Sequence, residues 1–136
     1  MDYFFPFEKL EVWYLAKDFA KEIYSIIKIF PKEELYGLSS QITRSAISIV
    51  TNIAEGSSRK SKKDKAYYYP LAFSSLMEVA AQLFIAREFN YITDDCLNNM
   101  RDKIYELSNK LNALYKNKYF SNSSASQFPN SLGVIQ

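Results

Sequence analysis

Between Leu38 and Lys65, in the run LSSQITRSAISIVTNIAEGSSRKSKKDK, apolar residues recur at steps of three and four, and that spacing constrains the fold more than any other feature. Leu38, Ile42, Ala46, Ile49 and Ile53 form one row, and Ile47, Val50 and Ala54 widen it to about half a helix circumference. The other half is polar but barely charged, with Gln41, Arg44, Ser45, Ser48, Thr51, Asn52, Glu55 and Arg59. A solvated helix face repeats Lys and Glu, so this one is expected to pack against something.

A helix of this kind needs partners, and the sequence supplies three more. With 3 Gly and 4 Pro in 136 residues, turn signals are too few for a sheet and favour long helices. From Glu8 to Phe30 an apolar set on Leu10, Trp13, Ala16, Phe19, Ile23 and Ile27 predicts a helix over 8–30, with Pro6 near its first turn and Pro31 ending it. The second helix spans 38–57, with Gly56, Ser57 and Ser58 marking its far end. Ser61, followed by Asp64, caps a third over 61–89, bent at Pro70. Thr93 caps a fourth over 93–116, whose seam is Leu97, Met100, Ile104, Leu107, Leu111 and Leu114. The expected fold is all-α, an antiparallel up-and-down four-helix bundle over 1–118, with an irregular serine-rich tail at 119–136.

The third helix is apolar on two sides. One side holds Leu76, Val79 and Leu83; the other holds Phe73, Met77, Ala80 and Phe84. A helix apolar all round is buried all round, so this second row is expected to meet a neighbouring copy of the chain. The 22 aromatic residues (11 Tyr, 10 Phe, 1 Trp) point the same way, being more than a lone small bundle would hide.

Composition also removes chemistry. With no His, imidazole bases, Ser-His and Cys-His pairs and Glu-x-x-His di-metal sites are excluded. A Glu55 and Glu78 carboxylate pair is weighed and set aside, and Cys96, the lone cysteine, reads as idle. No enzyme activity, cofactor or metal is expected. The start, MDYFFPFEKL, does not read as a signal peptide, and no apolar run reaches the length of a membrane span, so a cytoplasmic setting with no membrane partner is expected.

The segments KLEVWYLAKDFAKEIY, FPKEELYGLSSQITRSAISIVTNIAEGSSRKSKKD and FSSLMEVAAQL resemble the bacterial proteins encoded within intervening sequences of 23S rRNA genes, sometimes labelled S23 ribosomal proteins. The likeness runs over residues 4–116 and is most specific from Tyr36 to Arg59. It implies a four-helix bundle that assembles as a homopentamer. A similar bundle is the accessory variability protein of diversity-generating retroelements, which implies reverse transcriptase and nucleic acid as partners.

Two constellations stand out. The polar row Gln41, Arg44, Ser48, Asn52, Glu55 and Arg59 is expected to form a hydrogen-bonded network, with Glu78 partnering Arg44 or Arg59. The cluster Arg59, Lys60, Lys62, Lys63 and Lys65, followed by Tyr67, Tyr68 and Tyr69, reads either as a solvated, lysine-rich turn or, repeated around a ring, as a positive belt that holds phosphates and stacks unpaired bases. Residues 36–65 carry six bases against two acids, net +4, while the whole chain sums to +2. The expected function is a non-enzymatic homo-oligomeric scaffold for RNA, DNA or a nucleic-acid enzyme. The competing expectation is a structural or protein-binding module without nucleic-acid affinity, docking through the DYFFPF arm or the tail.

Overall fold

The computed structural model describes residues 2–119 of the chain. Among them there are four long helices and no strand: α1 (Glu11–Ile26), α2 (Leu38–Ser58), α3 (Lys62–Glu88) and α4 (Asp94–Tyr119). Helix α2 packs on α1 and α3, α3 on α4, and α4 closes against α1, which is the ring of an up-and-down bundle. The tail expected at 119–136 lies outside the described residues but for Tyr119, which ends α4.

The rows read from spacing make the core. Ile42, Ala46, Ile49 and Ile53 of α2 are fully buried, facing Ala16, Phe19 and Ile23 of α1 and Leu76, Val79 and Leu83 of α3. The α4 seam from Leu97 to Leu111 is buried as expected, Leu114 packs at its edge, and Tyr115 joins the core. Thr93 and Ser61 cap as expected: Cys96 N–H donates to Thr93 Oγ1 at 3.1 Å, and Asp64 N–H to Ser61 Oγ at 3.0 Å.

Four local expectations are corrected. Helix α1 starts at Glu11 rather than residue 8, because Pro6–Lys9 forms its own 3-10 turn and Leu10 is extended (φ −100°, ψ 115°). Glu8 fixes that turn by accepting hydrogen bonds from the amides of Phe4 and Phe5. At the other end α1 stops at Ile26 and tightens into a 3-10 turn, Ile27–Ile29, before Phe30 goes extended ahead of Pro31. Ile47 does not widen the buried row of α2, since it is 41% exposed.

Gly56 is the third correction. It does not itself stop α2, which runs on to Ser58, and among the described residues no glycine has a positive φ. A Cβ on Gly56 would lie 2.6 Å from Tyr69 Cε1, so the glycine is there to let α3 approach. The left-handed residue that ends a helix is Asn90 (φ 63°), where Tyr91 N–H donates to Ala86 O at 2.9 Å.

The fourth concerns α3. Its length and apolarity would let it cross a membrane, contrary to the expectation that no segment could, but 44% of its most apolar window is buried inside the bundle, where it is a core helix. Phe73, assigned to an outward face, is 2% exposed and sits in the chain's own core. Met77 and Ala80 pack against that core, and Arg101 of α4 lies over the Phe84 ring at 5.7 Å. The chain thus covers much of the second row by itself, and only Phe84 of the four is open to solvent.

Candidate nucleic-acid interface

The turn between α2 and α3 is short because both ends are locked. Arg59 leaves the helix (φ −77°, ψ 150°), and Ser61 starts the next one two residues later. The Arg59 guanidinium donates through Nη2 to Glu55 Oε2 at 2.6 Å and to Tyr68 Oη at 2.9 Å, and it lies 4.7 Å from the centre of the Tyr68 ring. It therefore joins the end of α2 to the start of α3. Its positive charge is already answered by Glu55, so Arg59 is a positioning residue of the corner and not one of its open cations.

The four lysines differ. Lys60, Lys62 and Lys63 are exposed, Lys65 is half-buried, and none forms an ion pair among the described residues. Of the three tyrosines expected beside them, only Tyr67 offers a free ring. Tyr69 is buried in the core, Tyr68 is held by Arg59, and Tyr67 stands edge-on to Tyr68 at 5.0 Å.

Next to this corner the N-terminal arm folds back, its 3-10 turn resting on α2. Arm and corner enclose a hollow of about 300 Å³, with Phe4, Phe5 and Tyr69 among its walls and Lys9 and Lys65 lining it. That volume is at the small end of ligand sites. Its makeup, two ammonium groups among aromatic rings, suits a planar group carrying negative charge. Sequence reasoning missed Lys9 as a partner of Lys65 because residues 9 and 65 are brought together only by the fold. The arm's aromatic run was the available signal.

The polar row of α2 does not act as one network. Its middle does: Ser75 of α3 donates to Ser48 Oγ at 2.8 Å, and Asn52 Nδ2 donates to Ser48 Oγ at 3.0 Å and to Ser48 O at 2.9 Å. Its lower end is the Glu55 and Arg59 pair just described. Its upper end, Gln41 and Arg44, is exposed to water, so those groups need no protein partner. Glu78, expected to meet Arg44 or Arg59, is exposed on α3 and pairs with neither.

At the far end of the bundle Glu34 does the joining. Leu38 N–H donates to its Oε1 at 2.9 Å and the Tyr91 hydroxyl to its Oε2 at 2.7 Å, linking the start of α2 to the α3–α4 turn. These bonds hold the Glu34 carboxyl below its ordinary value and push Tyr91 above its own. Cys96 is half-buried, and burial followed by the charge of Glu22 raises its thiol, which suits the idle role expected of it. Among the described residues no three metal-ligating side chains gather.

A family model described as 23S rRNA-intervening sequence protein matches residues 8–113, from the turn before α1 to the last third of α4. No curated protein matches the chain.

Proposed function

Because the chain belongs to the family of 23S rRNA-intervening sequence proteins, we propose that it works as a non-enzymatic, self-associating helical scaffold whose α2–α3 corner holds single-stranded RNA or DNA. The observation that carries this reading is the set of four lysines, Lys60, Lys62, Lys63 and Lys65, left without carboxylate partners beside an aromatic hollow. Three of the bundle's other cations are answered across helices, Lys103 by Glu22, Lys110 by Glu11 and Arg87 by Asp94, whereas the corner gathers four unanswered ones within six residues. Unanswered lysines draw phosphate by releasing its counterions, and open rings stack on bases without reading sequence. Self-association, the pentamer implied by the resemblance, would repeat the corner once per copy. A nucleic-acid enzyme such as reverse transcriptase is a further partner in this reading, in the cytoplasm.

The rival reading has an observation of its own. Phe4 is 84% exposed in an ordered arm, which fits an aromatic hook for a protein partner. Titration of a fluorescent single-stranded probe against salt separates the two. Each lysine–phosphate contact steepens the slope of log K on log salt by about 0.7 for single strands, so Lys60, Lys62 and Lys63→Glu should flatten it by about 2. Binding with no salt slope, or binding that survives the triple change in a chain of unaltered helicity, would remove the corner as the site.

A further inference from the structure

One face of the bundle, away from the corner, is built to accept something long and partly acidic. Between α1 and α2 runs an open groove of about 460 Å³. Its floor is apolar, from Ala20, Tyr24, Ile47 and Val50, and its rim carries Lys17, Lys21 and Lys28. Ile47, midway along α2, is 41% exposed, and Tyr24, in the last turn of α1, is 47% exposed. Lys21 and Lys28 have no ion pair among the described residues. Lys17 touches only its neighbour Asp18, at 3.7 Å on the open surface, where such pairs count for little, and the Tyr14 ring at 5.3 Å.

The chain carries a matching face. On the outer side of α3, Leu71, Ser74, Glu78, Ala81, Ile85 and Glu88 follow one another at steps of four and three, and all six are exposed. Glu78 and Glu88 are unpaired acids that bracket Ala81 and Ile85. At about 1.5 Å per helical residue, Glu78 and Glu88 lie about 15 Å apart, and Lys17 and Lys28 about 16 Å apart. Two acids around an apolar patch thus match in length two cations around an apolar floor.

We infer that the α1–α2 groove of one copy receives the outer face of α3 from a second copy, with Glu78 and Glu88 meeting the Lys17, Lys21 and Lys28 rim. This rests on the self-association proposed above and names the faces that perform it. The serine-rich segment 120–136 contains no Asp or Glu and would leave the lysine rim unanswered. The pairing joins two different faces, so successive copies build a closed ring or an open filament and not an isologous dimer. It also leaves Phe84, under Arg101, outside the contact.

The test is the oligomeric state of the full chain by sedimentation velocity, with helicity checked by circular dichroism. The wild type should assemble at micromolar concentration and loosen as salt is raised. Glu78→Lys with Glu88→Lys, and separately Lys17→Glu with Lys21→Glu and Lys28→Glu, should each weaken assembly about tenfold or more, as attractive rims become repulsive. All five changes in one chain should restore it, since the charges are complementary again. An oligomer indifferent to salt and to both reversals, or reversals not restored in combination, overturns the pairing while leaving self-association standing. A wild-type monomer overturns both.

Discussion

Gly56→Ala inverts the usual effect of replacing a glycine in a helix, and the inversion can be sized. In an open helix Ala is favoured over Gly by about 0.8–1.0 kcal/mol, so the change would normally stabilise. Here the new Cβ would lie 2.6 Å from Tyr69 Cε1, 2.9 Å from its Cδ1 and 3.2 Å from Tyr68 Cβ. Ordinary contact begins near 3.4 Å, so the Tyr69 ring would have to retreat by 3.4 minus 2.6, about 0.8 Å. That ring is 2% exposed, inside the most extensive helix pair of the bundle, and can retreat only by displacing packed neighbours or by moving into the hollow that it lines. Overpacking of this sort costs about 1–3 kcal/mol, which meets or exceeds the gain in helix preference. The expected net loss is up to about 2 kcal/mol, or roughly 4 °C of Tm per kcal/mol for a chain of this size.

The assay is thermal unfolding by circular dichroism at fixed protein concentration, because assembly would itself shift Tm. It should be run in two backgrounds. With Tyr69→Leu the ring is gone, and Gly56→Ala should regain its ordinary stabilising sign, giving a coupling of about 1–3 kcal/mol between the positions. A Gly56→Ala chain more stable than wild type, or an equal effect in both backgrounds, would refute the account of why glycine stands there.

Two further outcomes follow from the bundle's polar ties. Ser75→Ala should cost about 1 kcal/mol in urea unfolding by removing the one of Ser48 Oγ's two donors that crosses the α2–α3 seam, Asn52 remaining as the other, and Ser48→Ala with Ser75→Ala should cost less than the sum of the two; strict additivity would dissolve the network. The Glu34 carboxyl titrates below its ordinary 4.5 because Leu38 N–H and the Tyr91 hydroxyl bind the charged form, so its contribution is present above that value and is lost as pH falls through the folded one. Glu34→Gln should therefore flatten the fall of Tm between about pH 6 and about pH 3, and parallel curves for the two chains would count against the tie.

The sequence was legible where one physical signal acted alone. Helical rows at three and four and Ser61 and Thr93 as caps depend on neighbours within a turn or two, and the structure has each in place. It misled where a local signal had a tertiary cause. Gly56 reads as a helix stop until Tyr69, thirteen positions on, is brought against it. Phe73 reads as the outward row of α3 until the packing of the helices buries it in the core. Arg59 reads as one cation among five until Glu55 and Tyr68 are seen to hold it. The hollow between Lys9 and Lys65 had only the arm's aromatic run as a signal, since spacing along a chain says nothing about residues that far apart.

Charge shows why assembly and nucleic-acid binding can coexist in a chain whose net charge is only +2. The acids of α1 and the start of α4 are partly spent on the bundle itself: Glu11 on Lys110, Glu22 on Lys103 and Asp94 on Arg87. Glu78 and Glu88 are among the acids with no ion pair within the described residues, and in the proposed pairing they neutralise the Lys17, Lys21 and Lys28 rim of the next copy. The corner lysines sit at the opposite end of α3, with Lys63 about 22 Å along the helix axis from Glu78, so the contact does not reach them. Each copy added would then bring its four lysines unopposed. A strand spanning two corners would gain by effective concentration rather than by any new contact, so charge reversals at Glu78 and Glu88 should weaken probe binding without touching a single phosphate-facing lysine.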